Sequence, residues 1–290
     1  MRSPTSDTDQ ITYLIANYNH GAFIGDCIAS LRAQTDSNWI ALILDDASTD
    51  DSLERISELV DSERFQVITA DRNNGYITAL QRLITEATTD VVAILDPDDA
   101  LEPAATGELL RAHRLNPAAG IVYSCFAEYD ETLSIRKAIH GGPIPAGGTA
   151  IIDGPIGHIL SFRRSVYMCT DGIDSEMLYA EDRDLVYKLE EVGDPIFIER
   201  VLYRYRTVAG SQTNDPVKRE TGARNTRKAR LAAIDRRGLR GIRRSFAKLA
   251  IESDYVAYSD RFPAPVQALA SMTTSTAAAP WRLMSATDPR

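Results

Sequence analysis

The length and composition of the chain favour one large α/β domain. It has 290 residues, of which 44% are hydrophobic and 25% charged, so it can bury a sizeable core. The formal net charge of -9 argues against nucleic acid as the main partner. Intrinsic disorder of most of the chain and nucleic-acid binding as its main role are therefore excluded.

The cysteines and apolar runs predict a cytoplasmic protein. Cys27, Cys125 and Cys169 are far apart and lack the spacing of a disulfide framework or a zinc site. Residues 1–10 are polar and acidic where a signal peptide would be basic and then apolar. No later apolar run reaches the length of a membrane span. We predict a flexible N-terminus over residues 1–10.

Apolar runs alternate with amphipathic segments up to residue 115. A strand over residues 11–16 is followed by helical spacing from Phe23 to Leu31. Further strands are predicted at 39–44, 65–69 and 91–95, and helices at 52–60, 76–87 and 103–115. This alternation predicts a Rossmann-like, mostly parallel central sheet with helices on both faces. Ligands of such sheets bind beyond the carboxyl ends of the strands.

The alternation stops after a strand predicted at 121–126. Residues 127–157 include the stretch GGPIPAGG, which predicts a mobile loop over the site. Two more strands, at 159–162 and 196–198, and a helix at 181–190 are predicted downstream. The resulting domain boundaries are a main domain over 11–215, a basic helical extension over 216–262 and a low-complexity, disordered tail over 263–290.

Positive charge is concentrated in the extension. Residues 218–248 contain twelve Lys and Arg against two acids. Such a segment is able to hold the protein against an anionic membrane surface or a polyanionic acceptor. The alternative is a solvated face whose charge offsets the acidic remainder of the chain, and both interpretations stay open at this point.

Carboxylates follow two of the predicted strands. Asp45 and Asp46 come directly after one strand, and Asp96, Asp98 and Asp99 directly after another, so both clusters are expected at one edge of the sheet. Five acids at one edge repel each other unless a cation or a hydrogen-bonding ligand compensates them. Hard oxygen ligands suit Mg²⁺ or Mn²⁺. We therefore predict a metal and phosphate site.

Helix capping is the alternative interpretation of these acids. Asp and Ser are favoured at helix N-termini, so Ser48 or Asp50 is expected to cap the helix that begins near Ser52. A single cap does not explain three acids around Pro97.

Five segments in order resemble the motif set of the inverting family 2 glycosyltransferases of GT-A fold. The segments are ITYLIANYN, LILDDASTD, DRNNGYITAL, ILDPDD and AEDRDLVYKL, and the resemblance covers residues 11 to about 210. The specificity of the resemblance lies in their order and spacing. Ala47 stands where the family usually has glycine.

The resemblance implies residues that bind a nucleotide sugar. Asn17 and Tyr18 are implied to border the nucleoside pocket, and Asp45 or Asp46 to bind the base or ribose. Other implied donor-binding residues are Asn73 and Gly75 of an N-x-G motif, Asp96 and Asp98 of a D-x-D motif, and Arg206. An ordinary turn before a helix explains Asn73 equally well.

The resemblance also implies a metal site and a general base. Asp98 and Asp99 are the implied ligands of Mn²⁺ or Mg²⁺, and Asp182 is implied to deprotonate the acceptor hydroxyl. Favourable interaction of Asp182 with the helix dipole is the alternative. Val208 stands where the family commonly has histidine, so no histidine ligand is expected there. His158 is expected to have a structural role, and contact with the substrate is the alternative.

The reaction expected from the resemblance is sugar transfer with inversion from a UDP-, dTDP- or GDP-linked donor. The acceptor hydroxyl belongs to a glycan, a lipid-linked glycan or a small molecule. Two alternatives are a sugar-phosphate nucleotidyltransferase and a catalytically silent nucleotide-sugar-binding relative. The first is disfavoured because Asn17, Tyr18, Asn19 and His20 occupy the place of its basic, glycine-rich phosphate loop.

Overall fold

The apolar runs of the sequence become strands of one sheet. The computed structural model describes residues 10–60, 63–154, 156–208, 215–259, 264 and 266–273. The strands are β1 (Ile11–Asn17), β2 (Trp39–Asp45), β3 (Phe65–Thr69), β4 (Val91–Ile94), β5 (Ala100–Leu101), β6 (Ala119–Tyr129), β7 (Arg136–His140), β8 (Ser161–Arg163) and β9 (Asp194–Arg206). The helices are α1 (Gly21–Arg32), α2 (Ser52–Leu59), α3 (Tyr76–Glu86), α4 (Ala105–Leu115), α5 (Ala150–Asp153), α6 (Arg164–Tyr167), α7 (Glu181–Val192), α8 (Pro216–Arg236) and α9 (Gly241–Tyr258).

The sheet runs in the order β3-β2-β1-β4-β8-β6-β9-β5, with β7 paired to β6. Strands β3, β2, β1 and β4 are parallel, as are β6 and β9. Consecutive residues along β1, from Ile11 to Ile15, are all buried, as expected for a sheet covered on both faces. The predicted α/β class with a mostly parallel central sheet is confirmed.

The described residues fall into two compact units. The first takes its residues from 1–142, 157–170 and 192–207, and the second from 143–156, 171–191 and 208–290. The first unit contains the sheet, and the second contains α5, most of α7, and helices α8 and α9. The boundaries predicted at residues 215 and 262 stay predictions.

Two predicted elements need correction. Helix α4 begins at Ala105 and not at Pro103, because Glu102 still donates its N–H to Leu202 in strand pairing. Strand β9 covers thirteen residues where only 196–198 were predicted. Its register with β6 jumps from Ile198 to Val201, so a bulge of charged residues divides the strand and hides its length in the sequence.

Residues 127–157 are more regular than predicted. Strand β6 continues to Tyr129, and β7 pairs with it. The turn between them is held by Asp130, whose carboxylate accepts bonds from the N–H groups of Ser134 and Ile135, both at 2.9 Å. This turn chemistry was not recognised in the sequence.

Part of the predicted tail is helical. Residues 266–273 form a helix rich in Ala, Leu, Gln and Met, which have high helix propensity. The disordered tail predicted over 263–290 stays a prediction. The flexible terminus predicted over 1–10 lies outside the described residues except for Gln10, as does the tail beyond residue 273.

Candidate active site

Strands β1 and β2 end side by side at a buried polar cluster. Asn17 lies opposite Asp45 in their parallel register, and the two residues are 0% and 2% exposed. The Asn17 amide donates to Asp45 Oδ2 at 2.8 Å and to Ser48 Oγ at 3.2 Å. The Ser48 N–H donates to Asp45 Oδ1 at 2.9 Å. Asp45 therefore fixes both the strand end and the turn that follows it.

Asp46 holds the turn before helix α3. Its Oδ2 accepts the N–H groups of Asn74 at 2.9 Å and of Gly75 at 2.8 Å, and the side chain of Asn73 also accepts from Gly75 at 2.9 Å. Gly75 has a φ of 88°, in the region that favours glycine. A Cβ there would meet no atom within 4 Å, so the glycine requirement is conformational.

The structure brings the predicted donor residues of β1, β2 and the 73–75 turn to one edge of the sheet. Tyr18 follows Asn17 and is 39% exposed. The next residue, Asn19, has a φ of 58° and accepts the N–H of Thr49 at 2.7 Å. Ser48, predicted only as a possible helix cap, donates its hydroxyl to Asp45 at 2.7 Å.

The third acidic group follows strand β4. Asp99 is 1% exposed; its Oδ1 accepts the N–H of Arg206 and its Oδ2 the hydroxyl of Tyr203, both at 2.7 Å. Asp96 accepts the hydroxyl of Tyr76 at 3.1 Å. Both oxygens of Asp99 are thus engaged by protein donors, which favours a role in positioning the Asp98–Asp99 turn.

Burial and mutual repulsion act on these acids. Burial raises the pKa of Asp98, and the charge of Asp96 raises it further, while His20 and Arg206 oppose the rise. Burial also raises the pKa of Asp99 well above its usual range, with Asp98 and Asp96 adding to the effect. A positive charge at this edge would relieve that repulsion.

The guanidinium of Arg206 is hydrogen-bonded to other groups of the protein. It donates to the carbonyl of Asp98 at 2.5 Å, to the carbonyl of Glu131, and to Asp26 at 2.7 Å. It also lies 4.9 Å from the ring centroid of Phe23, and Arg206 is 3% exposed. These contacts favour a role in fixing the acidic turn.

Tyr203 is a buried residue of the candidate site that the sequence analysis did not single out. It lies on β9, opposite Leu101 of β5, and His158 stacks on its ring with centroids 4.7 Å apart. His158 also stacks on Tyr205 at 5.7 Å, which fits the structural role expected for it. The alternating tyrosines of LYRYR were the available signal, but strand pairing across about a hundred residues is not visible in one sequence.

Asp182 belongs to the second unit, in the first turn of α7. Its side chain is 48% exposed, whereas Asp184 on the same turn is 1% exposed. Asp184 accepts from Lys188 at 2.6 Å and from the N–H of Asp174 at 3.1 Å. The two acids therefore differ in their surroundings. The carboxylate of Asp184 is buried and bonded to protein groups, whereas that of Asp182 is accessible to solvent.

The basic segment is largely paired within its own unit. Arg237 donates to Glu190 at 2.7 Å, Arg236 to Glu191 at 2.8 Å, and Arg244 lies 2.6 Å from Asp235. These pairs favour the interpretation that the segment offsets nearby acids. No helix in the described part of the chain is both long and apolar enough to span a membrane.

The acidic edge suits a cation shared with a substrate. Within the described ranges, no three His, Cys, Asp or Glu side chains are grouped in a way that would hold a metal by themselves. Magnesium usually needs only one or two carboxylates, with substrate phosphates completing its shell. The carboxylate of Asp98 is an oxygen ligand of that kind.

Residues 12–170 match the Glycosyl transferase family 2, and this chain belongs to that family. The predicted resemblance is therefore confirmed, and the nucleotidyltransferase alternative is disfavoured.

The similar proteins include chondroitin and hyaluronan synthases of bacteria. The chondroitin synthase of Escherichia coli is 26% identical over 204 residues, which are 70% of this chain and 30% of the synthase. The chain thus spans less than a third of that relative.

Solved structures share the fold. Staphylococcus aureus TarS 1-349 in complex with UDP-GlcNAc has a TM-score of 0.60 at 13% identity, covering 94% of this chain and 89% of that chain. The mannosyltransferase PcManGT from Pyrobaculum calidifontis in complex with GDP-Man and Mn²⁺ has a TM-score of 0.59 at 17% identity, covering 95% and 83%. These neighbours confirm the GT-A fold.

Proposed function

We propose that this protein transfers a sugar, with inversion, from a nucleoside-diphosphate donor to an acceptor hydroxyl, with help from Mn²⁺ or Mg²⁺. The observation that carries the proposal is the edge at which Asn17, Asp45 and Asp46 end two strands and the acidic turn 96–99 follows a third. Neighbours of the same fold that hold UDP-GlcNAc, or GDP-Man with Mn²⁺, support it.

The nucleoside is assigned to the cluster at the end of β1. Asn17 Oδ1 is buried and has no hydrogen-bond partner in the described part of the chain, which is costly unless a ligand donor completes it. Tyr18 is the exposed ring beside it. Asp46 and Asn73 hold the Gly75 turn, whose backbone is proposed to approach the donor.

The metal is assigned to Asp98, with Asp96 binding the ribose or sugar. Asp99 and Arg206 are proposed to keep the turn that presents Asp98 in place, because their own polar atoms are engaged with protein. When bound, such a cation supplies charge neutralisation for the departing diphosphate.

Asp182 is proposed as the general base. An acceptor hydroxyl must lose its proton as it attacks the anomeric carbon, and a placed carboxylate accelerates this about 10² to 10⁴-fold. The half-exposed side chain of Asp182 is accessible for that role. Its Oδ1 also accepts the N–H of Arg183 at 2.7 Å, which fixes one oxygen.

The donor is a UDP-, dTDP- or GDP-linked sugar, and the acceptor a glycan, a lipid-linked glycan or a small-molecule hydroxyl. A cytoplasmic location stays a prediction from composition. A peripheral contact with an anionic membrane is not favoured by the ion pairs of Arg236, Arg237 and Arg244.

Nucleotide binding and sugar transfer test the proposal separately. Binding of UDP, dTDP and GDP is measured with and without Mn²⁺, and release of nucleotide from their sugars is followed with an acceptor panel. Asp98→Asn is expected to remove the Mn²⁺ dependence of binding, and Asp182→Asn to remove transfer alone. Glu54→Gln, on an exposed face of α2, is the control.

Two results would contradict the proposal. Metal-dependent nucleotide binding without transfer to any acceptor would indicate a catalytically silent relative. Nucleotide binding that is unchanged in Asp98→Asn would remove the metal assignment.

A further inference from the structure

The second unit contains a cavity of about 550 Å³, a size typical of small-molecule sites, which run to roughly 300–1,000 Å³. Four helices form its walls: α5, α7, α8 and α9. None of the residues assigned above to the donor or the metal lines it.

Aromatic and apolar groups form part of the wall. Ile251 is fully buried, Tyr187 is 2% exposed, and Tyr258 is 74% exposed, so the aromatic surface extends from the interior to the rim. Tyr255 lies between them on α9, with the guanidinium of Arg227 5.6 Å from its ring centroid. Tyrosine faces suit a ligand with an apolar side and polar edges.

The polar groups of the wall are held in fixed positions. Arg230 donates to Asp254 and to the carbonyl of Ile151, and its side chain is 7% exposed. Arg227 makes two bonds to Glu252, at 2.7 and 2.6 Å. Because these side chains are already ordered, a ligand would bind them with little further loss of conformational entropy.

The wall combines hydrogen-bond donors and acceptors at nearly balanced charge. Arg183, Arg227 and Arg230 line the cavity together with Asp153 and Asp254, and Glu252 compensates Arg227. A phosphate or a polyanion would meet acids as well as cations there. A neutral sugar presents hydroxyl groups that both donate and accept, and C–H faces that pack on aromatic rings.

The cavity adjoins the helix that carries the proposed base. Arg183 directly follows Asp182, and Tyr187 lies one turn further along α7. Arg183 also donates to the carbonyl of Gly154 at 3.1 Å, which ties the start of α7 to the residue after α5. A ligand in the cavity would therefore contact the turn of α7 that also carries the carboxylate of Asp182.

We infer that this cavity binds a neutral saccharide unit of the acceptor, and this inference rests on the proposed glycosyl transfer. The saccharide unit bound in the cavity anchors the acceptor glycan through its ring face and hydroxyl groups. The hydroxyl that receives the transferred sugar belongs to another part of the glycan. The acceptor class is thereby narrowed to glycans, free or lipid-linked.

Direct binding of saccharides to the full chain, without donor, tests the inference. The probes are cellotetraose, chitotetraose, mannotetraose and galactotetraose, titrated calorimetrically, with pyrophosphate as the anionic probe. Arg227→Gln and Tyr258→Ala are compared with Arg224→Gln, an exposed arginine on α8 that does not line the cavity. Because the Arg227 and Glu252 side chains are 36% and 44% exposed, breaking their pair should cost little stability.

We expect at least one tetrasaccharide to bind and both cavity variants to weaken it about tenfold, or 1.4 kcal/mol, while Arg224→Gln leaves it unchanged. The inference is overturned if no tetrasaccharide binds, if binding is equal in all variants, or if only pyrophosphate binds in an Arg227-dependent way. Failure of the proposed transferase activity is seen separately, as absent nucleotide binding with saccharide binding retained.

Discussion

The hydroxyl of Tyr203 lies 2.7 Å from the carboxylate of Asp99, to which it donates. The same hydroxyl accepts the N–H of Asp96 at 3.2 Å. One tyrosine therefore joins both ends of the acidic turn. Burial raises the pKa of Tyr203 well above its ordinary value, and the charge of Asp99 adds to the rise, so the phenol stays protonated and able to donate.

Tyr203→Phe should loosen this turn. Loss of the hydroxyl leaves Asp99 Oδ2 without its donor, which costs about 1–3 kcal/mol of unfolding free energy, and Mn²⁺-dependent nucleotide binding should weaken. Tyr13→Phe is the matched control, since it removes another buried hydroxyl, 2.9 Å from Thr106 Oγ1. Equal metal dependence of nucleotide binding in the two variants would show that Tyr203 serves stability alone.

Substitutions of Asp182 and of Asp184, both on helix α7, should separate an effect on catalysis from an effect on stability. Asp182→Asn should lower kcat by about 10² to 10⁴-fold with little change in melting temperature, because the side chain is half exposed. Asp184→Asn should lower the unfolding free energy by about 3 kcal/mol, because Lys188, only 7% exposed, loses its anionic partner and keeps only the Gly172 carbonyl among the described residues. Steady-state kinetics and thermal unfolding measure the two effects. The reverse pattern would reject Asp182 as the base.

His113 should make the fold sensitive to acid. It is fully buried, and burial, with a contribution from Arg163, lowers its pKa to about 3. Below the ordinary pKa of about 6.5, the unfolded chain binds a proton that the folded chain does not, so stability falls by up to about 1.4 kcal/mol per pH unit until about pH 3.

Denaturant unfolding between pH 7 and 4 measures this effect of His113. His113→Gln should flatten the slope of stability against pH, although its stability at pH 7 is lower. His140→Gln, at a histidine whose side chain is 45% exposed, should leave the slope close to that of the wild type. A wild-type slope in His113→Gln would contradict the assignment.

Arg237 should matter for folding more than for surface binding. Its removal leaves Glu190, whose side chain is 1% exposed, without that cation, so Arg237→Gln should cost about 3 kcal/mol of unfolding free energy. Arg55→Gln breaks a pair with both side chains about half exposed and should cost less than about 1 kcal/mol. Urea unfolding compares them. Equal costs, together with lost binding to anionic liposomes in Arg237→Gln, would favour the membrane interpretation.

Strands β1 to β4 could be predicted from the sequence, because their apolar runs are continuous and turn residues follow their ends. The sequence was insufficient for β9, where the bulge at Glu199 and Arg200 interrupts the pattern, and for the turn organised by Asp130. Asp45 and Asp46 were predictable as site candidates from their place after a strand. Tyr203 and Asp26 were not predictable as site candidates. Tyr203 contacts Asp99 and Asp26 contacts Arg206, and both pairs are far apart in sequence and meet only when the sheet is complete.

Asp45 and Asp46 are consecutive, yet each organises a different loop: the first holds Ser48, and the second holds Asn74 and Gly75. The two loops are therefore modular. Because Ser48 bonds to Asn17 and Asp45 of the proposed nucleoside cluster, exchanging residues 47–51 with those of another family member should alter nucleotide preference without disturbing the 73–75 turn. On the proposed donor assignment, substitutions in one loop can therefore change nucleotide preference while the other loop keeps its conformation.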